Sequence, residues 1–153
     1  MATVPFRAAV VQTLAALGDL DINIGLLRRY TEEAVRQGAR LVVFPECMNT
    51  GYLFDSAEHC AELAETVDGR FVQAMADLCR EHNIFIASGF TEMNEEKNKI
   101  FNTGLLLDPK GDIIVHYHKQ FLATHDQNWF ELGENGCPAV SYTHLRAHET
   151  GRN

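Results

Sequence analysis

A carboxylate and an ammonium stand where two of the chain's apolar runs stop. Leu41 to Phe44 is a short, continuously apolar stretch that halts at Pro45 and then presents Glu46. A second run, Asp112 to His118, ends in Tyr117, His118 and Lys119. Such groups at strand ends are the material of acid–base and electrostatic catalysis, because in open α/β sheets the chemistry gathers beyond the carboxyl ends of strands. The plainer readings are a solvated strand-to-loop corner for Glu46 and a snorkelling strand-end lysine for Lys119. His116, His118 and His125 allow a metal hydrolase reading: residues two apart on a strand face the same side, which suits a metal. Against it, no further Cys, His or Glu cluster has ligand spacing. The four cysteines, Cys47, Cys60, Cys79 and Cys137, are irregularly spaced without a C-x-x-C pair, so neither a zinc knuckle nor a disulfide framework is indicated. Cys60 and Cys79 fall in helical patterns and read as small packing residues.

The surrounding elements must carry these groups to one place. Phe6 to Gln12 reads as a short strand and Leu41 to Phe44 as a central strand buried on both faces. Between them Asp21 caps a helix whose inward stripe is Ile24, Leu27, Tyr30 and Ala34, closed by Gly38. That order predicts two parallel neighbouring strands. Asn49 to Asp55 is a loop pivoting on Gly51. Ser56 caps a short helix to Glu65, and a second helix spans Arg70 to His82 with Phe71, Met75, Leu78 and His82 on one face. Ile84 to Phe90 reads as another buried strand, so the repeat makes an α/β layer fold. Glu92 to Lys99 reads as a charged, solvated connector. Asn102 to Leu107 and Asp112 to His118 flank Asp108-Pro109-Lys110-Gly111, a hairpin turn, so the sheet changes here from parallel to antiparallel.

At 153 residues and 46 % hydrophobic, the chain holds material for one globular core or part of a larger one. A net charge of -8 without a basic run argues against a nucleic-acid or anionic-membrane surface. No stretch approaches a membrane span, and the N-terminus lacks the charged start and long apolar middle of a signal peptide; the chain reads as cytoplasmic.

With both strand ends in view, the chain resembles the carbon-nitrogen hydrolase (nitrilase) superfamily. The likeness is distributed over Ala8 to Gln12 (A-A-V-V-Q), Gln37 to Arg40 before L-V-V-F-P-E, Thr50 to Tyr52 (T-G-Y), Asn102 to Asp112 (N-T-G-L-L-L-D-P-K-G-D) and Tyr117 to Lys119 (Y-H-K). It implies an incomplete α-β-β-α sandwich with a mixed sheet, and a Glu, Lys, Cys set that cleaves a non-peptide C–N bond in a small amide, nitrile or carbamoyl substrate. Glu46 matches the general base and Lys119 the second position. An enclosed carboxylate is pushed toward a higher pKa and so suits taking a thiol proton. Where many members carry a second glutamate, the alignment places Asp126, shorter by one methylene, with Glu131 as a neighbouring alternative. No cofactor and no metal are implied, and the natural protein is expected to be a homo-oligomer.

The third catalytic residue does not match. Cys137 lies in a Gly and Pro loop too close to Lys119, and Cys47 fits no nucleophile motif. From Val140 to Asn153 the chain has no periodicity and resembles a translated transposase-type sequencing adapter. The expected organisation is therefore residues 1–139 as the N-terminal part of a hydrolase domain and 140–153 as a non-native tail, in which His144 and His148 carry no function. A chain so cut is expected to be inactive and prone to association; a sharp two-state melt of a monomer would count against that. The competing class is a binding module that keeps the fold without the chemistry.

Overall fold

The structure, a computed structural model, describes residues 6–134, 136 and 138. Cys137, His144, His148 and the tail from Val140 lie outside the described residues. Five strands form one sheet in chain order: β1 (Ala8–Val10), β2 (Leu41–Val43), β3 (Phe85–Asn94), β4 (Lys99–Leu107) and β5 (Ile113–His118). β1, β2 and β3 run parallel, and β3, β4 and β5 antiparallel. The mixed α/β sheet agrees with the sequence reading. The change of direction comes one connection earlier than expected, because β3 continues to Asn94 and turns directly into β4.

Three helices connect the parallel strands: α1 (Leu20–Arg36), α2 (Ala57–Leu63) and α3 (Arg70–His82). The Asp19 carboxylate, not that of Asp21, caps α1 by accepting from the Ile22 N–H, which leaves Asp21 in the first turn, where a negative charge also favours the helix. Ser56 caps α2 as expected. Asn83, in the left-handed region, ends α3.

α1 and α3 cover one face of the sheet, whereas α2 packs through Cys60 and Leu63 into a second cluster with Cys47, Phe54 and Phe130. Leu27 and Ala34 of α1 and Phe71, Met75 and Leu78 of α3 pack with Val42, Ile86, Phe90, Leu105 and Leu107 into one core. Strand alternation sends Val10, Leu41, Val43, Ala87, Leu106 and Val115 to the opposite face, where Val10 is 81 % exposed and the others only half-buried or partly open. The expectation that β2 is buried on both faces is thus corrected: only Val42 is enclosed, because among the described residues no second layer lies over that side.

Candidate active site

Glu46 is held by a tight corner rather than by a loose loop. After Pro45 the chain passes through Cys47 with φ of 49°, and the Cys47 carbonyl accepts from the Gly51 N–H at 2.8 Å. β3 runs alongside: the Gly89 N–H donates to the Pro45 carbonyl at 3.0 Å, and the Met48 N–H to the Gly89 carbonyl at 3.1 Å. A β-carbon on Gly89 would stand 2.8 Å from the Pro45 carbonyl oxygen and the Cys47 nitrogen and press on the Glu46 backbone, so only glycine permits this approach. Asn49 extends the sheet with a side chain, accepting from the Thr91 N–H at 2.8 Å and donating to the Thr91 carbonyl at 3.1 Å. Buried Asn23 ties the same corner to α1 by donating to the Asn49 carbonyl at 3.0 Å.

Lys119 arrives from β5 on the less covered side of the sheet. Its N–H donates to the Asn102 carbonyl at 2.9 Å, and its own carbonyl accepts from the Gly133 N–H at 3.0 Å. Its Nζ lies 2.7 Å from Glu46 Oε1 and 2.7 Å from Asp126 Oδ2. The Asn102 amide donates to the same Glu46 oxygen at 2.6 Å. Asp126 is fully enclosed; it also accepts from the Ala123 N–H at 3.1 Å and from the Tyr52 hydroxyl. Burial pushes its carboxyl above the ordinary aspartate value, the Ala123 N–H acts the other way, and the charge of Glu46 adds to the rise. Glu46 keeps 45 % of its side chain open, so the full enclosure assumed from the sequence is not supplied by the described residues.

The structure therefore brings Glu46, Lys119 and Asp126 together and leaves Glu131 apart, paired with Lys99 at 3.1 Å on the surface. Tyr52 and Trp129 meet edge to face at 6.0 Å, with Phe54 and Phe130 completing an aromatic cluster behind Asp126. Asn102 was missed as a site residue, though it opens the N-T-G motif. Asn23, Asn49 and Thr91 were missed as supports because their hydrogen bonds span distant parts of the chain.

The described thiols are poor nucleophiles. Cys47, Cys60 and Cys79 are buried, and burial pushes each up to about 12.

The metal-type histidines fall elsewhere, on the helix-covered side. His116 and His118 converge on Glu92, while His125 precedes the 3₁₀ turn at Asp126–Asn128 and is not among them. Glu92 is not in a solvated connector: it lies within β3 and is 2 % exposed. Burial alone would raise its carboxyl, but hydrogen bonds from His116 and Thr103 and the charge of both imidazoles hold it at about 2. Burial lowers His118, against the pull of Glu92.

The family model described as carbon-nitrogen hydrolase matches residues 7–150. A nitrilase of Pyrococcus abyssi (strain GE5 / Orsay) is 30 % identical over 131 residues, covering 85 % of this chain and 49 % of that protein. The omega-amidase NIT2 of Homo sapiens is 30 % identical over 114 residues, covering 74 % and 40 %. The crystal structure of an amidase from Nesterenkonia sp. superposes with a TM-score of 0.74 at 22 % identity, covering 93 % of this chain and 53 % of that one, a likeness of fold. The chain spans half or less of the length of these two curated relatives.

Proposed function

The chain belongs to the carbon-nitrogen hydrolase family, and we propose that it carries the base and charge-stabilising side of an enzyme that cleaves a non-peptide C–N bond in a small amide, nitrile or carbamoyl substrate. The observation that supports this most is the single ammonium of Lys119 held 2.7 Å from each of two carboxylates, Glu46 and Asp126. In this reading Glu46 takes the proton of a cysteine thiol as sulfur attacks the substrate carbon. The electron pair displaced onto the substrate heteroatom is met by Lys119, whose charge costs no reorganisation because Asp126 already fixes it. For an amide, Glu46 then returns the proton to the departing nitrogen, and water releases the acyl group from sulfur. Asn102 holds the Glu46 carboxylate in place.

The nucleophile of this reading is none of the four cysteines of the chain. In this reading it belongs to an apolar strand of the natural protein. The 153-residue chain alone is then without hydrolase activity.

Long-read sequencing of the source DNA across the codons for Ala139 to Ser141 tests this directly. The frame is expected to continue into an apolar strand bearing a cysteine followed by acidic and aromatic residues. In the protein so encoded, ammonia release from small amides should fall about 10²–10⁴-fold for Glu46→Gln and about 10²–10³-fold for Lys119→Ala. A frame that truly ends at Asn153, or an active-site thiol label that maps to Cys137, defeats the proposal.

A further inference from the structure

The Glu92 cluster is separate from the proposed catalytic groups. Adjacent positions on β3 and β4 divide the two: Thr91 pairs with Asn102 on the less covered side, and Glu92 with Phe101 on the helix side. His116 and His118 share that helix side because they alternate along β5, opposite Leu105 and Thr103 of β4. Their Nε2 atoms lie 2.6 and 3.0 Å from one and the same oxygen, Glu92 Oε2, and the three ligand atoms lie within 4.8 Å of one another.

We propose that Glu92, His116 and His118 form a binding site for one divalent ion of the zinc type, which ties β3 to β5 across β4. Two imidazole nitrogens and a carboxylate oxygen are the donor set such an ion takes, and donors about 2.0–2.2 Å from an ion in a tetrahedron stand roughly 3.3–3.6 Å from each other. His118 Nε2, 3.0 Å from Oε2, is near that spacing, and His116 Nε2, at 2.6 Å, reaches it when its partly exposed ring swings outward by about 1 Å or less. Binding needs each imidazole to carry its proton on Nδ1, which frees the Nε2 lone pair. The donors are also oriented from outside. The Thr103 hydroxyl donates to Glu92 Oε2 at 2.7 Å, and the His118 ring lies flat on Phe101, 4.0 Å between centroids and 4° between planes.

An ion has a way in. His116 is partly exposed and borders a cavity of about 460 Å³ whose lining includes Asp68, Glu92, Glu95 and Glu96. A mouth of that sign concentrates cations. The fourth ligand is a water from this cavity, which makes the site a clamp on the hairpins with one position open.

The test uses the whole 153-residue chain, stripped with EDTA, exchanged into metal-free buffer and titrated with zinc chloride against a chromophoric chelator. One ion per chain is expected, with a rise in Tm. Glu92→Gln and His116→Ala should each weaken binding more than about tenfold, and the rise in Tm should vanish in His116→Ala. Because His116 is the more exposed ring, His116→Ala should keep the fold, which circular dichroism checks. Absence of saturable binding overturns the proposal, as does undiminished affinity in His116→Ala. Binding lost only in the His144→Ala/His148→Ala variant overturns it too, since the ion would then sit on other histidines.

Discussion

The two faces of the sheet hold charge to different degrees. On the helix-covered face one carboxylate, Glu92, is 2 % exposed, accepts from the Thr103 hydroxyl and lies 2.6 and 3.0 Å from two imidazole nitrogens. On the other face one ammonium, Lys119, bridges two carboxylates, of which Asp126 is fully enclosed and Glu46 stays nearly half open. A buried carboxylate persists only when its partners repay the lost hydration, so the Glu92 cluster is a fixture of the fold. A half-open pair contributes little to stability and remains available to a substrate.

The sharpest way to break this contrast is to neutralise the enclosed carboxylate of one cluster and the half-open carboxylate of the other, and to follow amide hydrogen exchange of β3 to β5 in EDTA. Glu92→Ala strands the His118 imidazole and the Thr103 hydroxyl in the interior and leaves the more exposed His116 without its carboxylate, and should lower the opening free energy of these strands by about 3–5 kcal/mol. Glu46→Gln should change it by less than about 1 kcal/mol. Equal losses would mean that the two clusters do not differ as described.

Neighbouring leucines on β4 sharpen the same comparison without charge. Leu105 faces the helices and is buried, whereas Leu106 points to the open side. Leu105→Ala is expected to cost about 2–5 kcal/mol of exchange protection, because the packed site cannot collapse around the void. Leu106→Ala should cost less than about 1 kcal/mol. A large effect at Leu106 would reveal that a second layer covers that face.

Gly89 links the strand to the corner that carries Glu46. Gly89→Ala should cost about 1–3 kcal/mol, since its methyl group would meet backbone that has no rotamer to escape into. The accompanying readout is the Glu46 amide resonance, which should shift; an unmoved resonance would show that the corner is not set by this contact.

Much of this was legible in the residues. The apolar run ending at Pro45 announced the Glu46 corner, and Asp108-Pro109-Lys110-Gly111 announced the second hairpin, where the Gly111 N–H donates to the Asp108 carbonyl at 2.8 Å. Arg70 to His82 announced α3 through its single apolar face. What misled was charge. Glu92 reads as solvent-exposed in the sequence, since a glutamate beside Asn94, Glu95 and Glu96 resembles a surface turn, and nothing local reveals that two histidines more than twenty residues away meet its carboxylate.

The division has a physical basis. Periodicity, caps and turn residues act within a few positions, so the order of strands and helices, and the strand ends on which Glu46 and Lys119 stand, are readable from the residues alone. Which carboxylate meets which cation depends on register and on the face to which alternation turns each side chain. It takes the packed sheet to bring Lys119 onto Glu46 and Asp126 rather than Glu131, and to set His116 and His118 against the buried Glu92 while Glu46 is left half open.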